Sequence, residues 1–207
     1  MYIPKAFRVS DSRELADFIA SNSFATLISS VQGSLFATHL PLILDQSRSS
    51  PGVLLGHVAR ANRHWRAFDG QQEALAIFHG PHAYISPSWY ASSSPAVPTW
   101  NYAVVHVYGV PRVVDDEQWL SDFVDRLVTI YEADKPQPWP GILPPDLRAS
   151  LLTSIVGFTM DITRVEGKFK LGQNRSLDDQ RATLEHLQAQ ADPVAQMLGK
   201  LTRQRLG

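Results

Sequence analysis

Short apolar runs of β type recur along this chain, with turn-forming residues between them. Runs rich in β-branched and aromatic residues and bounded by such clusters are typical of strands. We predict strands at residues 24–30, 35–44, 53–58, 74–78, 83–85, 97–114 and 155–163. Residues 31–34 (VQGS) have the composition of a hairpin turn, and Pro41 limits the second strand to a sheet edge or a bulge.

Helical spacing of apolar residues is confined to a few segments. Asp11 and Glu14 form a capping pattern ahead of an apolar stripe, which predicts an amphipathic helix over residues 11–22. Further helices are predicted at residues 61–68, 116–132 and 176–188. The remaining segments are expected to be irregular: loops at 45–52 and 87–98, a proline-rich connection at 135–145, a polar return at 167–174 and a frayed end at 189–207.

The order of these elements indicates the fold class. Strands follow one another and helices lie mainly at the ends, which favours a mainly β fold with peripheral helices (α+β), such as an antiparallel barrel. A doubly wound nucleotide-binding sheet is disfavoured because strands and helices do not alternate and no G-x-G-x-x-G follows a strand. We expect one domain over residues 1–188 and a C-terminal tail over residues 189–207.

Composition narrows the classes of function. With 207 residues, of which 44% are hydrophobic, the chain can bury a core without disulfides or metals. A net charge of −1 gives no general attraction to nucleic acid or anionic lipid, although a local basic patch such as residues 200–205 stays open. The absence of cysteine excludes thiol chemistry, and no apolar run is long enough to span a membrane. We expect a soluble, cytoplasmic protein.

The segment VPTWNYAVVHVYG, residues 97–109, concentrates chemistry on one predicted strand. Its rings offer flat contact area, while Thr99, Asn101 and His106 could hydrogen-bond the heteroatoms of a planar ligand. An ordinary buried strand has the same pattern, so both interpretations stay open.

Two basic segments are candidates for anion binding. Arg60 lies where a predicted strand runs into a helix start, which suits a phosphate group, but a solvated surface arginine is the simpler alternative. Lys168 and Lys170 share one face of an extended segment and could approach an anion. Lysines that protect an edge strand against aggregation would give the same pattern.

Other chemistries find little support in the sequence. Seven histidines are present, but no H-E-x-x-H or similar ligand set occurs, so we expect no metal site. The sequence contains no G-x-S-x-G motif for serine hydrolysis. Gly167-Lys168 lacks the upstream glycine and the following Ser or Thr of a phosphate-binding P-loop.

Several long strings occur in a fixed order: MYIPKAF, FATLIS, FATHLPLIL, GHVARANRHW, IFHGPHAYISPSWY, VPTWNYAVVHVYG, IVGF and KFKLGQNRS. They span residues 1–187 and closely resemble the PaiB family, which is described as FMN-binding negative transcriptional regulators. The resemblance implies an antiparallel FMN-binding split β-barrel, related to pyridoxine phosphate oxidase. It also implies a homodimer with the flavin at the subunit interface.

The resemblance further implies roles for individual residues. Arg60, Ala61 and Asn62 would receive the FMN phosphate. Thr38 and His39 would lie along the edge of the isoalloxazine ring. Three residues would complete the wall of the site: Ser86, Trp100 and Asn101. Three more would reach across the dimer, where a cation favours the anionic reduced flavin: Lys168, Lys170 and Gln173. The family usually reads KLSQN where this chain has KLGQN, so any hydrogen bond from a serine hydroxyl at position 172 is absent.

Three functions follow from the resemblance. The first is a flavin-binding regulator that lowers transcription, although the sequence has no clear helix-turn-helix with a basic recognition helix, so direct DNA binding has weak support. The second is an FMN-dependent oxidoreductase with a small-molecule electron donor or substrate. The third, weaker alternative is a related barrel that binds haem.

Overall fold

The computed structural model describes residues 1–47 and 51–206. Its eight strands are β1 Arg8–Val9, β2 Phe24–Val31, β3 Ser34–Pro41, β4 Ile43–Asp45, β5 Val53–Ala59, β6 Ala74–Ile85, β7 Thr99–Val114 and β8 Ile155–Lys170. They form one sheet in the order β3-β2-β6-β7-β8-β5-β4, and β1 pairs with β8. The pairings β1–β8, β2–β3, β4–β5 and β5–β8 are antiparallel, which confirms the predicted mainly β fold with peripheral helices.

The described residues also form five α-helices: α1 Ser12–Ser21, α2 Glu117–Glu132, α3 Pro145–Thr153, α4 Leu177–Ala189 and α5 Pro193–Arg203. Short 3₁₀ turns occur at Lys5–Phe7, Arg63–Ala67 and Pro87–Trp89. Most helices begin at a side-chain cap: Asp11 accepts from the Glu14 amide at α1, and Asp116 accepts from the Trp119 amide at α2. Within the described ranges, no helix is both long enough and apolar enough to cross a bilayer.

The chain divides into two compact units. The unit that we call the hairpin unit comprises residues 23–76 and 107–164. Its α2 packs Phe123 and Leu127 against Ile43, Val53 and Leu55 of β4 and β5. Burial of this apolar face accounts for the amphipathic pattern of α2, because the hydrophobic effect stabilises the packed stripe.

The second unit, which we call the terminal unit, comprises residues 1–22, 77–106 and 165–207. Here α4 packs on α5, and Leu187 and Leu198 are fully buried. Phe18 of α1 lies 4.9 Å from Phe169 of β8, measured between ring centroids. The predicted frayed end is wrong over residues 193–203, because Asp192 caps an amphipathic helix whose apolar face is covered. The predicted boundary at residue 188, between one domain and a C-terminal tail, stays a prediction.

Three further expectations require correction. The predicted break at residues 80–81 is absent from β6, which runs through it. A Cβ at Gly80 would lie 2.5 Å from Phe18 Cζ, so glycine here permits close packing. The polar return predicted at residues 167–174 is a strand up to Lys170. This strand pairs with β1 at Gly167 and Lys168, which removes the edge-strand interpretation for Lys168. Helix α3 was not predicted, because its leucines make no buried stripe.

Most of the other predicted elements are confirmed within a few residues, but the strand predicted over residues 35–44 is divided at Leu42 into β3 and β4. Pro41 ends β3, which lies at one end of the strand order as expected. The predicted helix at 61–68 is reduced to the 3₁₀ turn Arg63–Ala67. The loop predicted at 45–52 includes residues 48–50, which lie outside the described residues.

Candidate flavin site

A buried polar cluster joins β2, β3 and the turn Arg63–Ala67 in the hairpin unit. The His64 ring is fully buried, with Nε2 2.8 Å from Ser29 Oγ and Nδ1 2.8 Å from Thr38 Oγ1. Asn62 Nδ2 donates to the same Thr38 hydroxyl at 3.1 Å, while Asn62 Oδ1 accepts from the His64 amide at 3.0 Å. Thr38 and Asn62, which were predicted as site residues, therefore belong to one network. The central residue of this network, His64, was not predicted from the sequence.

Burial determines the protonation state of this imidazole. Burial lowers the pKa of His64 from 6.5 to about 4, so the ring is neutral at neutral pH. Because Thr38 Oγ1 accepts from Asn62, its own proton is available to His64 Nδ1, and Nε2–H then donates to Ser29. The cluster is thus a rigid, uncharged polar group.

His39 does not join this cluster. Neighbouring residues of a strand point to opposite faces, and His39 Nδ1 pairs instead with Thr26 Oγ1 at 3.1 Å. Both residues of that pair lie on the face of the β2–β3 hairpin opposite to Thr38. Ala61 is exposed in the link between β5 and the 3₁₀ turn.

Arg60 has main-chain partners in the hairpin unit. Its Nε donates to the Thr153 carbonyl at 2.7 Å and its Nη2 to the Ile155 carbonyl at 3.1 Å. Its amide donates to Ser154 O at 2.8 Å, and the Asn62 amide donates to Ala59 O at 2.8 Å. The Arg60 amide and two guanidinium N–H groups are therefore occupied at the end of α3, and the Asn62 amide is occupied by Ala59 O of β5. The role of Arg60 and Ala61 in phosphate binding stays a prediction.

Two arginines that sequence reasoning missed lie on the same turn. Arg63 and Arg66 line a cavity of about 290 Å³ together with Ser30, Gln32 and other residues of the hairpin unit. The signal was present in the string RANRHWR, where the arginines recur every third residue. That spacing places side chains on one face of a 3₁₀ helix.

The terminal unit holds the predicted lysine pair. Lys168 is only 8% exposed, with Nζ 5.2 Å from the ring centroid of Tyr102 and 5.4 Å from that of Tyr2. Lys170 Nζ donates to Thr99 Oγ1. Desolvation lowers the pKa of Lys170, and the neighbouring charge of Lys168 acts in the same direction. Among the described residues no carboxylate forms a salt bridge with either ammonium group.

Asn101 of β7 lies beside the turn at Gly172. The residue is 2% exposed, but its amide is not one of the fully buried side-chain atoms that lack a hydrogen-bond partner among the described residues. Its Nδ2 lies 3.8 Å from the place that a Cβ of Gly172 would take, and Gly172 has a φ of +93°, which favours glycine. The Gln173 side chain is hydrogen-bonded within its own turn. Its Oε1 accepts from the Leu171 amide, and its Nε2 donates to the Phe169 carbonyl.

Trp100 and Ser86 are not brought to Asn101. Trp100 is 55% exposed and lies beside Tyr84 and His82, at centroid distances of 6.1 and 6.3 Å. It follows from strand alternation that Trp100 and Asn101 project from opposite faces of β7. Ser86 caps the 3₁₀ turn Pro87–Trp89 by accepting from the Ser88 amide.

The chemistry present matches what FMN requires. A flavin mononucleotide has a dianionic phosphate, a pyrimidine edge with donors and acceptors, and a planar ring. Within the hairpin unit, Arg63 and Arg66 have no carboxylate partner among the described residues. Within the terminal unit, Lys168 is nearly buried against Tyr102 and Trp100 is exposed. In the described part of the chain, no three His, Asp or Glu side chains are placed to hold a metal ion.

Comparison with known proteins gives the family. A family model described as "Putative FMN-binding domain" matches residues 1–164. The chain is 38% identical over 208 residues to "Protease synthase and sporulation protein PAI 2" of Bacillus subtilis (strain 168), with 100% of this chain and 98% of that protein covered. It is 32% identical over 161 residues to "Uncharacterized protein YKL070W" of Saccharomyces cerevisiae, covering 66% of this chain and 94% of that protein.

Solved structures show the same fold at low identity. The flavocytochrome Anf3 from Azotobacter vinelandii has a TM-score of 0.65 at 15% identity, covering 87% of this chain and 77% of that one. The FAD and heme binding protein from Mycobacterium smegmatis has a TM-score of 0.61 at 12% identity, covering 80% and 74%. With the split-barrel fold, the family model and the full-length relative in agreement, the chain belongs to the PaiB family of FMN-binding proteins.

Proposed function

We propose that this chain acts as a homodimeric, FMN-binding negative regulator of transcription, with the flavin at the subunit interface. The observation that carries flavin binding is Lys168 of the terminal unit. Lys168 is 8% exposed and its ammonium lies between the rings of Tyr2 and Tyr102, and among the described residues no carboxylate forms a salt bridge with it. The pyrimidine edge of a flavin would supply a partner for this cation.

Lys168 then has a chemical task in the terminal unit. Its ammonium, held between two tyrosine rings, would place a positive charge beside the pyrimidine edge. When bound, FMN supplies one- or two-electron redox chemistry, and the fixed cation favours its negatively charged reduced form.

Support for the homodimer comes from the family resemblance and from exposed apolar side chains. In the hairpin unit, Leu35 is 84% exposed and Phe24 is 67% exposed, both on the β2–β3 hairpin at the end of the strand order. Large apolar side chains on a sheet edge are costly in a monomer. A second subunit covering this hairpin would bury both.

The regulatory role rests on the PaiB resemblance rather than on a DNA-binding element. The late basic stretch lies at the end of α5, where Arg205 forms an ion pair with Glu14 and lies 5.3 Å from the Phe169 ring centroid. Lys200 lines a cavity beside α1. These contacts reduce the positive charge available for phosphate backbones, which favours repression through a partner or a metabolite signal.

Flavin binding is tested by titrating the apo-protein with FMN. The absorption and fluorescence of FMN should change saturably, and Asn101→Ala should weaken binding by about tenfold to a hundredfold if its amide pairs with the cofactor. Ser93→Ala, in an exposed loop of the same unit, is the matched control. A correctly folded protein that leaves saturating FMN unchanged would overturn the proposal.

The dimer and the regulatory role have separate tests. Sedimentation should give a dimer mass, and Leu35→Glu should shift it to the monomer. Retention of a promoter fragment should be specific and should weaken with salt if the protein binds DNA directly. A protein that neither retains promoter fragments nor changes transcription when deleted is not a regulator.

An FMN-dependent oxidoreductase is the second candidate, favoured by the Lys168 cation. A site that stabilises reduced flavin suits electron transfer from a nicotinamide donor. Bleaching of bound flavin by NADH or NADPH, at a rate that supports turnover with an acceptor, would favour the enzyme. Flavin that stays oxidised with both donors would remove this candidate and leave the regulator.

A further inference from the structure

Residues 139–153, which comprise α3 and the chain that leads into it, form an outer layer on α2 in the hairpin unit. The Trp139 amide donates to Glu132 Oε2 at 2.8 Å, and Arg148 Nη2 donates to both carboxylate oxygens of Asp125 at 2.8 Å. Because Asp125 and Glu132 are seven residues apart, they share one stripe of α2, opposite to the stripe that packs on β4 and β5. The outer layer therefore runs antiparallel along α2, on the side away from the sheet.

The outer layer presents apolar side chains to the exterior. Ile142 is 80% exposed, and Leu147 and Leu151 are each about half exposed. The two leucines are four residues apart and so share one face of α3, a helix without a buried residue. Helices usually bury their apolar face, and exposed apolar groups close together mark interaction sites. Within residues 1–47 and 51–206, nothing buries this face.

A cavity at the last turn of α3 offers room for an apolar side chain from outside. It has a volume of about 600 Å³, and Leu120, Leu152 and Val156 supply apolar wall. Arg60 also lines it, with its guanidinium bonded to two main-chain carbonyls. Pockets of this kind receive the anchoring side chains of protein partners. Three exposed carboxylates in a row outweigh the arginine at this cavity: Asp115, Asp116 and Glu117.

The charge of the region selects the class of partner. Residues 115–153 contain eight acidic and three basic residues, whereas the whole chain contains 20 and 19. Two of the three basic side chains are already in ion pairs, Arg126 with Asp45 and Arg148 with Asp125. In the described part of the chain, no cation forms a salt bridge with the carboxylates at the cavity. Such a surface repels nucleic acid and anionic lipid and attracts a basic partner.

From these observations we infer that the outer layer is a docking surface for a basic, amphipathic helix of a partner protein. The apolar side of that helix covers Leu147 and Leu151, and one of its apolar side chains enters the cavity beside the last turn of α3. Its lysines or arginines pair with the carboxylates at the cavity, which steers association and fixes the orientation of the helix. The inference goes beyond the proposed function, because no flavin takes part in the contact.

The experiment uses a labelled helical peptide of leucine and lysine as the probe, with a matched peptide in which glutamate replaces each lysine. Fluorescence anisotropy measures the binding of both to the full chain, at low and at raised salt. Leu147→Ser/Leu151→Ser removes the apolar face. Asp115→Asn/Glu117→Gln neutralises the cavity and keeps Asp116, which caps α2. All four changed side chains are exposed, and circular dichroism and thermal melting check that both variants are folded.

Two control variants carry the same kinds of change in the terminal unit. Leu177→Ser removes a leucine that is also more than half exposed. Asp178→Asn/Glu185→Gln removes two exposed carboxylates of α4, one of them in its first turn like Glu117 in α2. A general loss of surface hydrophobicity or of negative charge would affect the controls and the surface variants alike.

We expect the lysine peptide to bind the wild type at least about tenfold more tightly than the glutamate peptide, and its affinity should fall as salt is raised. Each surface variant should weaken binding about tenfold, whereas the controls should stay within about twofold of the wild type. Equal binding of the two peptides, or surface variants that bind like the wild type, would overturn the inference.

Sedimentation and vesicle binding test the other occupants of this surface. If Leu147→Ser/Leu151→Ser lowers the mass of the protein alone, a second copy covers the surface and the inference is wrong. If phosphatidylcholine vesicles bind the wild type but not this variant, the occupant is a lipid surface and the inference is wrong as well. An unchanged mass without vesicle binding supports the protein partner. None of these measurements contains FMN, so the docking surface and the proposed function can fail separately.

Discussion

The most direct test of the hairpin unit is the pH dependence of its stability through His64. The ring is fully buried, and its pKa is lowered from 6.5 to about 4 because burial disfavours the imidazolium. The hydroxyls of Ser29 and Thr38 can accept as well as donate, so protonation breaks few hydrogen bonds. The cost of protonation is therefore mainly desolvation of the charge.

The sign and the magnitude follow from proton linkage. Above pH 6.5 the ring is neutral in both the folded and the unfolded chain, so His64 makes its full contribution to stability. Between pH 6.5 and about 4 the unfolded chain binds a proton that the folded chain does not, so the free energy of unfolding decreases as the pH is lowered. The total loss is about 3 kcal/mol, and it levels off below the folded pKa.

The assay is urea denaturation from pH 7.5 to 4, in the wild type and in His64→Gln. Glutamine keeps a donor and an acceptor but does not titrate, and all other groups titrate in both proteins. The wild type should be more stable at pH 7.5, and the difference should shrink by about 3 kcal/mol at pH 4. A difference that stays constant over this range would refute a neutral, desolvated His64.

Three further predictions test the packing around the sites. Arg60→Ala should lower the free energy of unfolding by about 1–3 kcal/mol in denaturant titrations, because two hydrogen bonds to carbonyls at the end of α3 are lost; no change would show that they are idle. Gly109→Ala should lower the free energy of unfolding by about 1–3 kcal/mol or more, since its Cβ would lie 2.4 Å from a main-chain oxygen of β8. The control Gly199→Ala, whose nearest atoms would lie at 3.4 Å, should be tolerated. Asp179→Ala should speed limited proteolysis of the loop at residues 90–98, because Asp179 accepts from both the amide and the hydroxyl of Ser92; an unchanged cleavage rate would contradict that anchoring role.

Local signals in the sequence determined most of the elements. Helices α1 and α2 were predictable because a capping aspartate precedes an apolar stripe in each, and both features act within a few residues. Strand β3 was expected to lie at an edge because proline cannot donate to a neighbouring strand. The family resemblance added the split barrel and the cofactor, which no periodicity could supply.

Tertiary structure alone decided which residues act together. The sequence pointed to Arg60 for a phosphate, but the fold brings carbonyls of residues 153 and 155 to its guanidinium. The fold also places Arg63, which was not predicted, beside a cavity. Likewise, the sequence does not distinguish His64 from the other histidines among the seven. Only the fold places its ring against Ser29 of β2 and Thr38 of β3. The physical reason is that propensity and capping act over a few residues, whereas burial and hydrogen-bond pairing depend on chain segments that are distant in sequence.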